Sequence, residues 1–222
     1  MNEKKKINVA FCLNTVLFVA VLFSVAWMMS GIKLAKHSSL SAARLASLKY
    51  YTVDSNILMG IAALLMLICD LRVLRGKAQG IPVFAKVIKL MGTVGVTLTM
   101  LVTIFFLAPT AQYNWLSLFT DSNFFMHLLN PVLALVVFLG FERTKDISFK
   151  HTFTGMITMP IYGVFYITNA VIHSENGMVP AVHDWYGFLV AGVWSAVIVL
   201  PLVTVITYII SLVLWKLNRL KQ

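Results

Sequence analysis

Charged side chains are scarce in this chain, at 12% of 222 residues, and only 8 of them are acidic. Soluble domains carry about twice that fraction, so the shortage excludes an ordinary water-facing surface. Cysteine is nearly missing: Cys12 and Cys69 stand apart, within or beside apolar segments. A disulfide framework or a structural metal site needs several clustered ligands. Neither is expected, and no cofactor is implied. No glycine is followed two residues later by serine, so the Gly-x-Ser-Gly signature of rhomboid-type intramembrane proteases is absent.

What the chain does have is apolar length. It is 59% hydrophobic with a mean hydropathy of +0.87. These values predict one integral membrane domain over residues 1–222. The net charge of +10 would suggest nucleic acid in a soluble protein. Here the placement of Lys and Arg explains it, and no nucleic-acid partner is expected. The run from Ile7 to Ile32 after Lys4-Lys5-Lys6 is too long for the apolar core of a signal peptide. It reads as a first helix that stays.

Periodicity and length predict an all-α membrane protein with six transmembrane helices, at about 8–31, 50–69, 82–107, 124–141, 152–172 and 187–215. Pro82 suits a helix start, Pro160 predicts a kink and Pro201 a bend. Lys33–Lys49 has a weak helical stripe and is expected to lie at the interface. Asp70–Ile81 reads as a solvated basic turn, with Lys86 and Lys89 snorkelling at the next helix entry. Gly92 and Gly95 with neighbouring threonines read as packing surface. Tyr113 and Trp115 read as interfacial anchors, with Asp121, Ser122 or Asn123 capping helix four. With both termini cytoplasmic, 14 of the 18 Lys and Arg fall inside. The remaining 4 lie between Lys33 and Lys49. That asymmetry favours this orientation.

The chain is organised around Lys49-Tyr50-Tyr51-Thr52-Val53-Asp54-Ser55-Asn56. Ile57–Cys69 alone is 13 residues, too short to span a bilayer. A spanning helix must therefore carry Tyr50–Asn56 in with it. Intramembrane polar residues are expensive and mark function by default. Thr52, Ser55 and Asn56 share one face, whereas Asp54 points elsewhere, toward helix one or the Lys33–Lys49 segment, with Lys49 as a candidate ion partner.

His127 is the histidine within an apolar span, in Met126-His127-Leu128-Leu129-Asn130-Pro131. Thr52 lies about 27 Å of helix before Asp70, and His127 about 22 Å before Glu142, so their depths differ by about one turn. A threonine hydroxyl attacks poorly unless a general base takes its proton, and histidine is the usual base. In the first turn of helix four, dipole and burial would keep His127 neutral. Pro131 leaves the His127 carbonyl without a helical partner. Asn130 and Asn56 are candidates to orient the imidazole or bind a substrate carbonyl. Free N–H groups at the two helix starts are candidates to hold an oxyanion. On residues alone a packing role stands beside the chemical one: helical threonines bond the carbonyl four residues back, and His and Asn bridge helices.

Lys-Tyr-Tyr-Thr at 49–52 opening the second helix, with His127-x-x-x-Pro131 in the fourth, resembles the androgen-induced and androgen-dependent membrane hydrolases and their bacterial relatives. These are the Pr6Pr or FAR-17a/AIG1-like membrane proteins. The form Tyr51-Thr52-x-x-Ser55-Asn56 resembles the bacterial branch further. The resemblance implies a lipid esterase that cleaves fatty acid esters of hydroxy fatty acids. Thr52 is then similar to the nucleophile and His127 to the base, with Asp54, Ser55, Asn56, Asn130 and Pro131 supporting or contacting substrate. A bacterial member would sit in the inner membrane. Relatives often carry Tyr-Pro-Phe before helix six, where this chain reads Gly177-Met178-Val179-Pro180-Ala181-Val182-His183. The competing expectation is a non-catalytic lipid-binding or transport protein using the same pocket. The absence of a deep charge on any other helix is read as evidence against ion coupling.

Overall fold

The structure is a computed structural model that describes residues 2–36, 43–109 and 115–220. Among the described residues it is all-α, and six helices are long and apolar enough to cross a membrane. They are α1 (Glu3–Ser30), α2 (Tyr51–Leu74), α3 (Val83–Leu107), α4 (Asp121–Gly140), α5 (His151–Ile172) and α6 (Val193–Arg219). Large apolar side chains stand exposed midway along them, among them Val19, Leu64, Val136, Phe165 and Ile198. Such a surface has a favourable neighbour only in lipid.

Helix α3 is the central post, with the largest buried share of the six; it packs on α2, α4, α5 and α6 and reaches α1 through Lys89 and Asn14. Its glycines let α2 come close. A Cβ on Gly92 would stand 3.1 Å from the Met59 backbone, and one on Gly95 would stand 3.1 Å from the Ser55 side chain. Small residues at a helix crossing work in this way. Helix α6 is peripheral and continuous through Pro201. Helix α5 breaks at Ile157, where Pro160 cannot donate to the Met156 carbonyl.

Several boundaries differ from the sequence reading. Helix α2 runs five residues past Cys69 and takes in Asp70, so the basic turn begins only at Arg75. Asp70 is fully buried, not solvated. Lys89 does not snorkel either; it is 0% exposed and faces Glu142. Residues 187–192 are not helical, because Gly187 and Gly192 adopt left-handed or extended positive-φ turns and α6 starts after them. Of the expected interfacial helix, the described part is one short 3₁₀ turn, Arg44–Lys49, while 37–42 and Tyr113 lie outside the described residues. Asp121 does not cap α4 from outside. It is the first helical residue, and its carboxylate accepts the N–H groups of Leu34 and Ala35, each at 3.1 Å.

The end of the bundle that carries both termini is laced by polar contacts. Asn218 of α6 donates to the carbonyls of Phe138 and Glu142, at 2.6 and 3.2 Å. Nearby, Lys86 Nζ reaches Asp146 Oδ2 at 2.5 Å. The hydrogen bond from Lys86, then its charge, holds the Asp146 carboxyl below its ordinary pKa. A depressed folded pKa makes the contribution full above the unfolded value, near ~3.9, and lost as pH falls through the folded one. Asp146 is half exposed, so Asp146→Asn is expected to cost under about 1 kcal/mol at neutral pH. It should flatten the acid limb of a plot of Tm against pH.

Candidate functional site

Helix α2 opens abruptly. The 3₁₀ turn Arg44–Lys49 is followed by Tyr50 in extended geometry, and the α-helix begins at Tyr51. Thr52 is therefore the second helical residue, and the residue four positions back is not in the helix. Thr15, Thr93, Thr99 and Thr207 all donate to the carbonyl four residues earlier. Thr52 has no such acceptor. Among the described residues its half-buried hydroxyl makes no hydrogen bond.

His127 sits in the second turn of α4, because the helix starts at Asp121 rather than near Phe124. The helix-end dipole argued from the sequence fades beyond the first turn and does not govern it. A wide π-type turn over Phe125–Leu129 precedes Pro131 and sets the ring's direction. Such turns often mark functional positions. His127 Nδ1 lies 3.0 Å from the Leu118 carbonyl. A carbonyl only accepts, so Nδ1 carries the proton and Nε2 keeps the lone pair. Nε2 has no partner among the described residues and is not sealed off.

Thr52 and His127 line one cavity of about 240 Å³ at the end of the bundle opposite the termini. Met28, Tyr50, Leu107, Leu118, Trp185 and Tyr186 wall it, and Asn123 lines it too. No hydrogen bond joins Thr52 to His127; the cavity lies at their side chains. A second, almost wholly apolar cavity runs between α3, α5 and α6, lined by residues including Leu98, Val102, Met159, Leu200 and Val203. Thr52, Leu107 and Tyr186 line both. Thr52 therefore stands at the junction of a mixed chamber and an apolar one.

No family model, curated protein or solved structure matches this chain. The site must speak for itself.

The supporting residues divide. Asn56 is fully buried and clamps the site from below. Its amide donates to the carbonyls of Thr52 and Met126, at 2.8 and 3.2 Å, while its oxygen accepts from Asn130 at 2.9 Å. Asn130 also donates to Ser24 at 3.2 Å, which ties α1 to α4. This chain fixes the backbone beside both Thr52 and His127, but neither asparagine lines the cavity. The sequence reading that one of them orients the imidazole or binds a carbonyl is corrected: the Leu118 carbonyl orients the ring. Ser55 bonds Thr99 at 3.1 Å and joins α2 to α3. Pro131 is buried below the π turn.

Asp54 is elsewhere. It lines a separate cavity with Leu48 of the Lys33–Lys49 segment and with Thr158, Ile161 and Phe165 of α5, and does not face α1. It forms no ion pair among the described residues. Lys49 instead places its ammonium 5.2 Å from the ring centres of Tyr50 and Trp185.

The sequence reading missed the segment that seals the site. Asp184 accepts the N–H groups of Phe188 and Leu189, at 3.0 and 2.9 Å, and the Tyr166 hydroxyl. Three donors on one carboxylate fix the turn that presents Trp185 and Tyr186. The Tyr186 hydroxyl then accepts the N–H of Tyr51 at 2.9 Å and lies against that of Thr52. It donates in turn to the Tyr162 hydroxyl, which donates to the Lys49 carbonyl at 2.6 Å. Burial, then the Tyr162 hydroxyl, raises the Tyr186 pKa well above its ordinary value, which keeps the proton in place. The expectation of free N–H groups at the start of α2 is thus corrected: a tyrosine hydroxyl caps them. Asp184-Trp185-Tyr186 before a glycine was the available signal, but nothing local shows that it reaches α2. Tyr186→Phe is expected to cost about 1 kcal/mol through the lost cap, read as a lower Tm in detergent.

Proposed function

We propose that this protein is an intramembrane lipid esterase with Thr52 as nucleophile and His127 as general base. The observation that carries the reading is a threonine hydroxyl without an internal partner, facing a cavity shared with a histidine whose other nitrogen is pinned. In the reaction Thr52 Oγ attacks the ester carbonyl and its proton passes to His127 Nε2. As the tetrahedral intermediate collapses, Nε2 returns that proton to the departing alcohol. Water then attacks the acyl-Thr52 carbonyl and gives its proton to Nε2, which returns it to Thr52 Oγ as the fatty acid leaves. Asn123 lines the same wall. The apolar cavity between α3, α5 and α6 suits an acyl chain whose carboxyl end reaches Thr52. Fatty acid esters of hydroxy fatty acids, the substrate class of the membrane hydrolases that this motif resembles, have that form.

The lysine and arginine asymmetry supports an orientation with both termini in the cytoplasm and the cavity toward the other face of the membrane. No metal or cofactor enters the scheme. The test uses purified protein in detergent, a long-chain ester of a hydroxy fatty acid and a fluorophosphonate probe. Turnover, with labelling lost in Thr52→Ala, is the expected result. A lipid recovered intact with no turnover would instead make the chamber a lipid-binding site, and equal labelling of Thr52→Ala would remove Thr52 as nucleophile.

A further inference from the structure

A second polar centre lies at the end of the bundle that carries the termini, away from the Thr52–His127 chamber. It is built by Asn14 of α1, Asp70 of α2, Lys89 of α3 and Glu142 just beyond α4. Lys89 Nζ donates to Asn14 Oδ1 at 2.5 Å, and Asn14 Nδ2 donates to Glu142 Oε1 at 2.6 Å. The ammonium is 3.7 Å from Glu142 Oε2. Asp70 is 0% exposed and lies within electrostatic reach of Glu142, Lys89 and the Asn14 amide. Cys69 adjoins it on its own helix, and Asn218 of α6 holds the Glu142 backbone carbonyl.

The charges of this centre do not balance. One ammonium faces two carboxylates, and the side chains of Lys89 and Glu142 are 1% and 4% exposed. Neither Asp70 oxygen nor Glu142 Oε2 has a hydrogen bond within 3.5 Å, and the Asn14 amide beside Asp70 is directed to Glu142 Oε1 at 2.6 Å. Burying one unpaired charge in low dielectric is strongly unfavourable, and sealed acceptors without donors add to that. A neutral Lys89 would worsen matters by leaving two carboxylates and no cation. The centre needs one further positive charge. A metal cation would compete with the ammonium that already occupies the meeting point of Asn14 Oδ1 and Glu142. A proton adds its charge without displacing anything, and it turns one orphaned acceptor into a donor for another.

We propose that Asp70 and Glu142 together hold one exchangeable proton, which makes this centre a proton-binding site separate from the esterase chamber. The proton is taken from water at the end of the bundle where the charged turn after Glu142 begins. Ionisable groups buried within spanning helices mark proton relays and ion sites by default. The proposal stands whether or not Thr52 proves to be a nucleophile.

Infrared difference spectra of the full-length protein in detergent, between acidic and alkaline buffer, test it. Wild type is expected to show the carbonyl stretch of a protonated, desolvated carboxylic acid on acidification. That band should be lost or displaced in both Asp70→Asn and Glu142→Gln. Should these variants fail to fold, Asp54→Asn protein carrying ¹³C-labelled aspartate gives the same answer. The other described aspartates are ion-paired or hold backbone N–H groups, so an isotope-shifted band then reports Asp70. A band unchanged in both variants, or no band at any pH, overturns the proposal. So does a response to exchanging choline for sodium at fixed pH that matches acidification, because a metal cation would then hold the site.

Discussion

Replacing His127 with glutamine is expected to lower ester turnover by about 10²- to 10⁴-fold, the usual contribution of a positioned general base. Glutamine can keep the one fixed contact, because its amide still donates to the Leu118 carbonyl that now holds Nδ1 at 3.0 Å. What it cannot supply is a basic nitrogen toward Thr52. The loss should therefore appear in kcat, while KM and Tm stay close to wild type. Thr52→Ala should match it, and the double variant should be no worse than either single one, because nucleophile and base act as a unit. A His127→Gln protein that keeps full turnover would leave Thr52 without a base and sink the mechanism. If instead Tm falls sharply with kcat, the histidine is a packing residue.

The parts of this arrangement legible in the sequence were those that depend on length and local spacing. Six apolar runs gave six helices, and the short apolar run after Asn56 forced Thr52 into the bundle. What escaped were contacts between distant segments. Tyr186 caps a helix that starts 135 residues before it, and a tyrosine is not a recognised capping residue. Asp54 faces α5 because α5 lies on that flank of α2, where Tyr51 meets Thr158 and Tyr162, which no single-helix wheel reveals. The sequence reading has the supporting asparagines reach the imidazole or a substrate carbonyl. Their polar atoms are spent on each other and on backbone carbonyls, and this is visible only once the helices are brought together. Lys89 misled for a physical reason. A lysine near a helix entry ordinarily snorkels, but here α2 overruns by more than a turn and carries Asp70 to meet it.

That meeting sets up the largest stability effect. Lys89→Met is expected to destabilise the protein by about 3–5 kcal/mol, because removing one member of a buried ionic group strands the others. Methionine fills similar volume, so the cost is not a cavity but the loss of the ammonium from a carboxyl pair that even with its shared proton keeps a buried negative charge. Against a total stability of about 5–15 kcal/mol, that should appear as low yield and a clearly lower Tm in detergent. The companion variants separate charge from packing. Adding Glu142→Gln to Lys89→Met keeps shape and removes one stranded charge, so it should recover a substantial part of the loss. On its own Glu142→Gln leaves Lys89 with one carboxylate nearby, that of Asp70, and should cost less than Lys89→Met. The coupling read from this cycle should be well above the ~0.5 kcal/mol within which distant sites add. Strict additivity, or a Lys89→Met protein as stable as wild type, would show that the ammonium contributes nothing to holding α1, α2, α3 and the end of α4 together. The fully buried lysine would then need a reason other than charge.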